Sequence, residues 1–397
     1  MTGIPPDSRF ADSESKPNPS ARLVAFLERQ PHWRITALGL SILAGLWVID
    51  RSTAPDLSFL VFYLAPVILL TWFEGRRAGM LVSLASAVLW FLDDVLTGAA
   101  PSRPLTPYWN AAVKLGFFLF VVQILASLKA ALERQRQAER ERMDLELAMA
   151  EQVQRGLFPQ KLPPISGLDY FGICRPAAAV GGDYYDFIPL GPEKLGVAVG
   201  DISGKDLSAS LLMASLQGAL RSSASVSDGD EARTIERVNR QLCGLIAPAR
   251  FATLFWGVYD GARRELAYVN AGHNRPMLLR RASASKGHSD GHEPAERLTI
   301  GGTVLGMFPD APFRSGVVKL EPGDSVGLFS DGISEAPDGS DVEFGERRLE
   351  DVLRTGASLS AAALCNRVFS EVQAYLRDRP SPDDLTMVVL KAIGEDR

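Results

Sequence analysis

The chain has 397 residues, with 42 basic against 47 acidic side chains and a formal net charge of -5. That balance excludes the strongly basic surface of a dedicated nucleic-acid binder, so no nucleic-acid partner is expected. The three cysteines, Cys174, Cys243 and Cys365, form no Cys-x-x-Cys and none has arginine six positions on, which excludes a zinc knuckle, a dithiol redox pair and cysteine-phosphatase chemistry.

Residues 1–20 are rich in Ser, Pro, Asp and Asn, and residues 1–34 are expected to be a disordered cytoplasmic tail. No signal peptide precedes the first apolar run, which starts only after residue 34. Four apolar segments follow, at 35–49, 57–73, 78–92 and 111–128, joined by short loops. Each is slightly shorter than the ~20 residues of a full span. Together, with Trp33, Trp72, Phe73, Tyr108 and Trp109 at their ends, they predict a four-helix transmembrane region over 35–128, in contact with membrane lipid. Arg29, Arg34, Arg76, Arg77, Lys129, Arg134 and Arg136 cluster on one side, which predicts that both termini are cytoplasmic. A buried bundle of a soluble protein is the alternative.

Residues 129–158 contain no Gly or Pro before Gly156 and are dense in Ala, Leu, Glu, Gln and Arg, so they predict a helix. Leu125, Leu128 and Leu132 start a heptad seam that lapses into charge and resumes at Met143, Leu147, Ala150 and Leu157. This predicts an interrupted coiled coil, hence a homodimer through the 125–158 helix. PQKLPP, 159–164, ends it, giving a connecting helix and linker over 129–164 and a separate domain over 165–397.

Beyond Pro164 the pattern becomes α+β. Strands are predicted at 168–174, 184–190, 195–202, 252–260, 265–270, 324–330 and 385–391, and helices at 207–222, 231–246, 345–355 and 359–377. The polar stretch 281–296 reads as a loop, too loose for its His288 and His292 to hold a metal. Carboxylates recur at strand ends: Asp183 after Gly181-Gly182, Asp201 in VAVGDISGK, Asp331 in GLFSDGISEA, and Asp383-Asp384 before LTMVVL. One such Asp is usually a turn residue or a helix cap. Four sites beside apolar strands are better read as converging oxygen ligands for hard divalent cations.

GGDYYDF, VGDISGKDLSAS, ATLFWGVYD, NAGHNRPMLL, GLFSDGISEA and DDLTMVVL occur in one order over 181–390. The series resembles the successive motifs of the metal-dependent PP2C-type protein phosphatases, in the bacterial SpoIIE/RsbU branch, and EQVQRGLFPQKLP resembles the helix preceding that core. The resemblance covers 150–393. It implies an α-β-β-α sandwich binding two Mn²⁺ or Mg²⁺ ions. Asp183 matches the first-motif aspartate, which binds metal directly or through water. Asp201 matches the bridging ligand, with the Ile202 carbonyl beside it. Asp331 and Asp383 complete the second metal, and Asp384 is a further candidate ranked below Asp383. Asp183, Asp201, Asp331 and Asp383 are the implied catalytic set for hydrolysis of phosphoserine or phosphothreonine. The implied substrate is a phosphorylated anti-anti-sigma-type protein, and the implied location is a bacterial inner membrane with the catalytic domain cytoplasmic.

The family reads Gly-Lys-Gly after the second aspartate, whereas this chain reads Gly204-Lys205-Asp206. Asp206 is read as the N-cap of the 207–222 helix, with altered metal affinity as the alternative. Gly182, Gly200 and Gly332 are read as allowing close backbone approach to metal or as turn residues. Asn270, His273 and Asn274 in NAGHN are read as bracing a turn, with contact to phosphate as the alternative. Two rivals remain open here: a catalytically silent PP2C-like membrane receptor, and a nucleotide cyclase with a GGDEF-type loop. The cyclase lacks support, because the second acid of that loop is missing and it has no use for Asp201, Asp331 and Asp383.

Overall fold

The computed structural model describes residues 19–53, 59–96, 105–204, 207–245, 250–281, 294–377 and 379–394. Asp206, His288 and His292 lie outside these, so the capping role expected of Asp206 and the 282–293 loop are not described. The chain divides into two compact units, Met1–Arg142 and Met143–Arg397.

The first unit is helical: α1 (Pro19–Glu28), α2 (His32–Ser52), α3 (Leu64–Glu74), α4 (Arg76–Leu96) and the first part of α5 (Thr106–Leu157). α1 falls in the expected tail, because RLVAFLE supplies helix formers that the Ser- and Pro-rich start lacks. Of the four expected spans, two helices are long and apolar enough to cross a membrane among the described residues: His32–Ser52 and Thr106–Leu157. The second segment becomes helical only at Leu64 and has 11 residues, roughly half the length a bilayer core requires. Pro66 sits in its first turn, where a missing N–H costs nothing, so it starts this helix rather than kinking it. The third segment lies in the 21-residue α4, whose ends carry Arg76, Arg77, Asp93 and Asp94. α2 to α5 share a core that includes Ile35, Leu43, Tyr63, Val67, Val82 and Phe118. Asp93 lies 3.6 Å from Arg51, and the Lys114 ammonium lies 3.0 Å from the centroid of Trp90.

α5 is one unbroken helix of 52 residues, with no boundary near Lys129. Every residue from Ala131 to Glu146 on it is exposed, as expected where the apolar seam lapses into charge.

The second unit is a sandwich of two sheets. One runs β1 (Leu168–Arg175), β11 (Leu385–Ala392), β10 (Ser325–Phe329), β6 (Met277–Leu279), β7 (Glu296–Arg297). The other runs β2 (Tyr184–Pro189), β3 (Lys194–Ile202), β4 (Ala252–Asp260), β5 (Glu265–Ala271), β8 (Gly301–Gly302), with β9 (Gly316–Lys319) also on β5. The pairings are antiparallel except β5 with β8. Alternation decides which side chain goes where. Val197, Val199, Val388 and Leu390 point between the sheets, with Phe187 and Phe255. Ala198 and Trp256 face α6 (Leu207–Ser225) and α7 (Glu231–Cys243) through Met213, Leu216 and Ile235. Met387 and Val389 face α9 (Glu346–Thr355) and α10 (Ala361–Tyr375) through Leu353, Leu364 and Val368. The result is the expected α-β-β-α order. All seven predicted strands and all four predicted helices of this unit are present. β6, β7, β8, β9 and the one-turn α8 (Asp331–Ser334) went unpredicted, because two to four residues show no period.

Candidate metal centre

The aspartates singled out in the sequence sit where strands enter or leave one end of the sandwich. The last register partners of the β2–β3 ladder are Tyr184 and Gly200, so Asp183 and Asp201 come next to each other just beyond them. In the other sheet Ser330 N–H donates to the Thr386 carbonyl, and Thr386 N–H donates to Ser330 Oγ. Asp331 and the Asp383-Asp384 pair therefore flank one ladder end. Thr386 Oγ1 joins the two sheets by donating to Asp183 Oδ2 at 2.5 Å.

Electrostatics shows the convergence. Asp183 is only 2 % exposed. Burial, and then the charge of Asp201, push its carboxyl well above the usual carboxylate range. Asp201 is pushed up to about 7, by burial first and then by Asp331, Asp383 and Asp384. Among the described residues no three His, Cys, Asp or Glu side chains close into a ready ligating group.

Backbone packing brings the cluster together. A Cβ on Gly182 would meet the Ile202 carbonyl at 2.8 Å, the Gly204 carbonyl at 3.1 Å and Asp201 Oδ1 at 3.4 Å. A Cβ on Gly332 would lie 2.1 Å from the Asp384 carbonyl. Neither glycine has positive φ. At both positions backbone passes too close to other backbone for a side chain to fit.

Asp384 departs most from expectation. Its Oδ1 accepts from Ala177 N–H at 2.7 Å, and its Oδ2 accepts from Gly182 N–H at 2.7 Å and Asp183 N–H at 3.3 Å. Both oxygens are engaged in holding the 177–183 turn against β11. Asp383 is partly exposed, and its Oδ1 accepts from Asp384 N–H at 2.9 Å.

Further polar residues brace the site. Asn270 Oδ1 accepts from His273 N–H at 2.8 Å, so this pair does brace a turn. Buried His273 contacts Thr253 Oγ1 through Nδ1 at 2.9 Å. Gln154, near the end of α5, forms two hydrogen bonds with the backbone of one residue: Nε2 donates to the Gly181 carbonyl at 2.7 Å, and Oε1 accepts from Gly181 N–H at 3.0 Å. Reasoning from sequence missed Gln154 and Thr386. Thr386 carries a local signal, since it is the polar residue two beyond Asp384, just before the apolar run Met387–Leu390. Gln154 has none that separates it from neighbouring Gln152.

A sequence profile of the family described as Stage II sporulation protein E (SpoIIE) matches residues 191–393, just over half of the chain. The chain belongs to the SpoIIE family. The cyclase reading falls with this assignment. The chain is 28% identical over 272 residues to Protein IcfG of Synechocystis sp., a match covering 62% of this chain and 41% of that protein. It is 27% identical over 247 residues to Phosphoserine phosphatase RsbU of Bacillus subtilis, covering 62% of this chain and 70% of that protein. The SiaA-PP2C domain of Pseudomonas aeruginosa superposes with a TM-score of 0.56 at 23% identity, covering 64% of this chain and 98% of that domain. The sandwich is thus a PP2C-like fold.

Proposed function

We propose that the chain is a membrane-anchored, metal-dependent protein serine/threonine phosphatase acting on a phosphorylated regulatory protein of the anti-anti-sigma type. One observation carries this reading: Asp183, Asp201, Asp331 and Asp383, from separate strand ends, share one electrostatic cluster at the end of a SpoIIE-family sandwich.

The donor set fits hard divalent cations. It offers oxygen ligands, and its buried carboxylates repel one another until a cation relieves them. We assign Asp183, Asp201, the Ile202 carbonyl, Asp331 and Asp383 to two Mn²⁺ or Mg²⁺ ions. Asp384 is left out, because both its oxygens hold the 177–183 turn. When bound, such ions offset the charge of the phosphoryl oxygens and make water more acidic. The chain's own part is placement. Thr386 orients Asp183, the Asp384 clamp sets the turn beside Asp201, and Gln154 ties the end of α5 to that turn. Hydrolysis is one displacement: a bond forms from water oxygen to phosphorus, the bond to the seryl or threonyl oxygen breaks, and that oxygen takes a proton. Cys174 is no rival nucleophile, since burial, and then Asp183, push its thiol well up and keep it protonated.

The membrane part of the proposal rests on α2 and α5 and on the outward side chains of the first unit. Leu38, Leu40, Ile49, Leu81, Val113 and Phe120 are exposed while the unit's interior is equally apolar, as for helices bathed in lipid. A four-span topology with a cytoplasmic catalytic domain at a bacterial inner membrane follows from the positive-inside pattern. Pairing of two chains along 125–158 would cover Leu128, Leu132, Met143, Leu145, Met149 and Val153, which are exposed in the single chain. The chain spans 41% of IcfG, and the substrate class rests on the resemblance to the branch.

The test is phosphate release by the full-length chain in lipid from a phosphoserine protein of the anti-anti-sigma type. Release should require Mn²⁺ or Mg²⁺ and fall at least about 100-fold in Asp331→Asn. Equal release by that variant sinks the proposal.

A further inference from the structure

The end of the sandwich that holds the aspartates also carries a short, firmly held loop with two bare apolar side chains. Ala252 N–H donates to the Leu305 carbonyl at 3.0 Å, and Leu305 N–H donates to the Ala252 carbonyl at 2.8 Å. Ala252 is in turn the register partner of Ile202, whose carbonyl is among the assigned ligands. Leu305 therefore lies two strand spacings, about 10 Å, from Ile202. Gly306 follows with φ of +87°, a conformation that suits glycine, and starts a turn. Asn239 on α7, 0 % exposed, clamps that turn: its Oδ1 accepts from Gly306 N–H at 2.9 Å, and its Nδ2 donates to the Phe308 carbonyl at 2.7 Å. Ala311 N–H donates to the same carbonyl at 3.1 Å. Leu305 on one side, and Ala311 and Phe313 on the other, are buried in the core beneath α6 and α7. Between these anchors Met307 is 46 % exposed and Phe308 is 56 % exposed.

We propose that Met307 and Phe308 dock the phosphoprotein substrate through an apolar patch beside its phosphorylated residue; this rests on the phosphatase reading above. Apolar side chains exposed singly are ordinary on a protein surface. Here two adjacent ones sit on backbone that one buried side chain holds at both ends. Position selects the occupant. A specific interface covers about 800 Å² on each partner, a disc roughly 30 Å across. A protein whose phosphoserine reaches the aspartates beside Ile202 must spread over a loop that starts about 10 Å away. The residue types agree, since aromatic residues and Met are enriched in the cores of interfaces. A loop already held in one conformation also costs little ordering on binding. A small aryl phosphate offers this loop no surface, so the loop separates protein substrates from small esters.

The experiment uses the full-length chain in lipid nanodiscs as wild type, Met307→Ser, Phe308→Ser and Phe308→Leu. With Mn²⁺ loaded, hydrolysis is measured on a phosphoserine protein of the anti-anti-sigma type and on p-nitrophenyl phosphate. Binding of the same phosphoprotein to the chelated chain, where no turnover occurs, is measured by calorimetry. Each serine variant should raise KM for the phosphoprotein about tenfold and weaken its binding by a similar factor, with kcat little changed. Kinetics on p-nitrophenyl phosphate and the Mn²⁺ affinity should be unchanged, and Phe308→Leu should keep part of the phosphoprotein affinity. Equal phosphoprotein binding in wild type and both serine variants, or no binding by wild type, overturns the proposal. So does a parallel loss on both substrates, which marks a loop that only supports the metal centre. A fall from dimer to monomer in the serine variants on light scattering also overturns it, and marks contact between two copies of the chain. Phosphoprotein binding that the serine variants lose, with no phosphate released from either substrate by wild type, upholds this surface and sinks the phosphatase reading instead.

Discussion

Two aspartates adjacent in the chain, Asp383 and Asp384, differ in what surrounds them. Asp384 is buried and answers three backbone N–H groups, so it acts as an anchor. Asp384→Asn keeps the shape but loses the charge and one acceptor. It should cost about 1–3 kcal/mol of unfolding free energy while Mn²⁺ binding persists. Asp331→Asn should do the reverse, and thermal melts with and without Mn²⁺ separate the two. His273 gives a pH test. Burial pulls its imidazole from 6.5 down to about 4. A depressed histidine contributes stability that is present above its unfolded value and lost as pH falls through the folded value. Wild type should therefore lose up to about 3 kcal/mol relative to His273→Gln between pH 6.5 and 4. Denaturant melts across that window, compared pairwise, cancel the other titrating groups, and a constant difference excludes the idea.

At the scale of elements, the strand that GGDYYDF leads into, β2, has two faces that do different work. Tyr185 and Phe187 enter the inter-sheet core, and Tyr184, Asp186 and Ile188 face the α6 side. Asp186 is fully buried and pairs with Arg221 on α6, which donates from Nε at 2.7 Å and Nη2 at 2.8 Å; the Tyr184 hydroxyl donates to it at 2.9 Å. This pair pins α6 against the strand that carries Asp183. Arg221→Met leaves a buried carboxylate without its cation and should cost about 3 kcal/mol, the low end of the range for broken buried pairs because the arginine is half exposed. Asp186→Asn in the same background should recover much of the loss. Chemical denaturation of the single and double variants reads both numbers, and additive effects would mean that the two side chains are not coupled. The other joint, between α5 and the site, is the pair of hydrogen bonds from Gln154 to Gly181. It gives the connecting helix a direct mechanical handle on the turn before Asp183.

For the whole molecule, the sandwich gathers negative charge at one end, and folding without metal works against that. Asp201 stands at about 7, above its ordinary 3.8. The protonated form then contributes stability that is fully present below the ordinary value and lost as pH rises through about 7. The metal-free protein should lose stability over that range. Added Mn²⁺ should raise its melting temperature, more at pH 8 than at pH 6, because binding must release the proton. Differential scanning of chelated and Mn²⁺-loaded samples at both pH values checks this, and a metal-induced shift that shrinks with pH would sink it.

The sequence by itself determined the sandwich and the identity of its acidic residues. Strands of five or more residues with a clean period announce their faces locally, and an Asp at the end of such a strand is visible one residue at a time. The helical unit was legible as apolar helices, though the start of each was not, because hydropathy counts residues and says nothing of where a helix begins: Leu64 starts α3 well inside the second apolar run. Tertiary structure alone decided that Asp384 anchors the 177–183 turn. Asp383 and Asp384 have the same chemistry, and the difference lies in backbone N–H groups about 200 residues away. The same reason hid Gln154. Its role is set by a partner distant in the chain, and no local period or composition records such a contact.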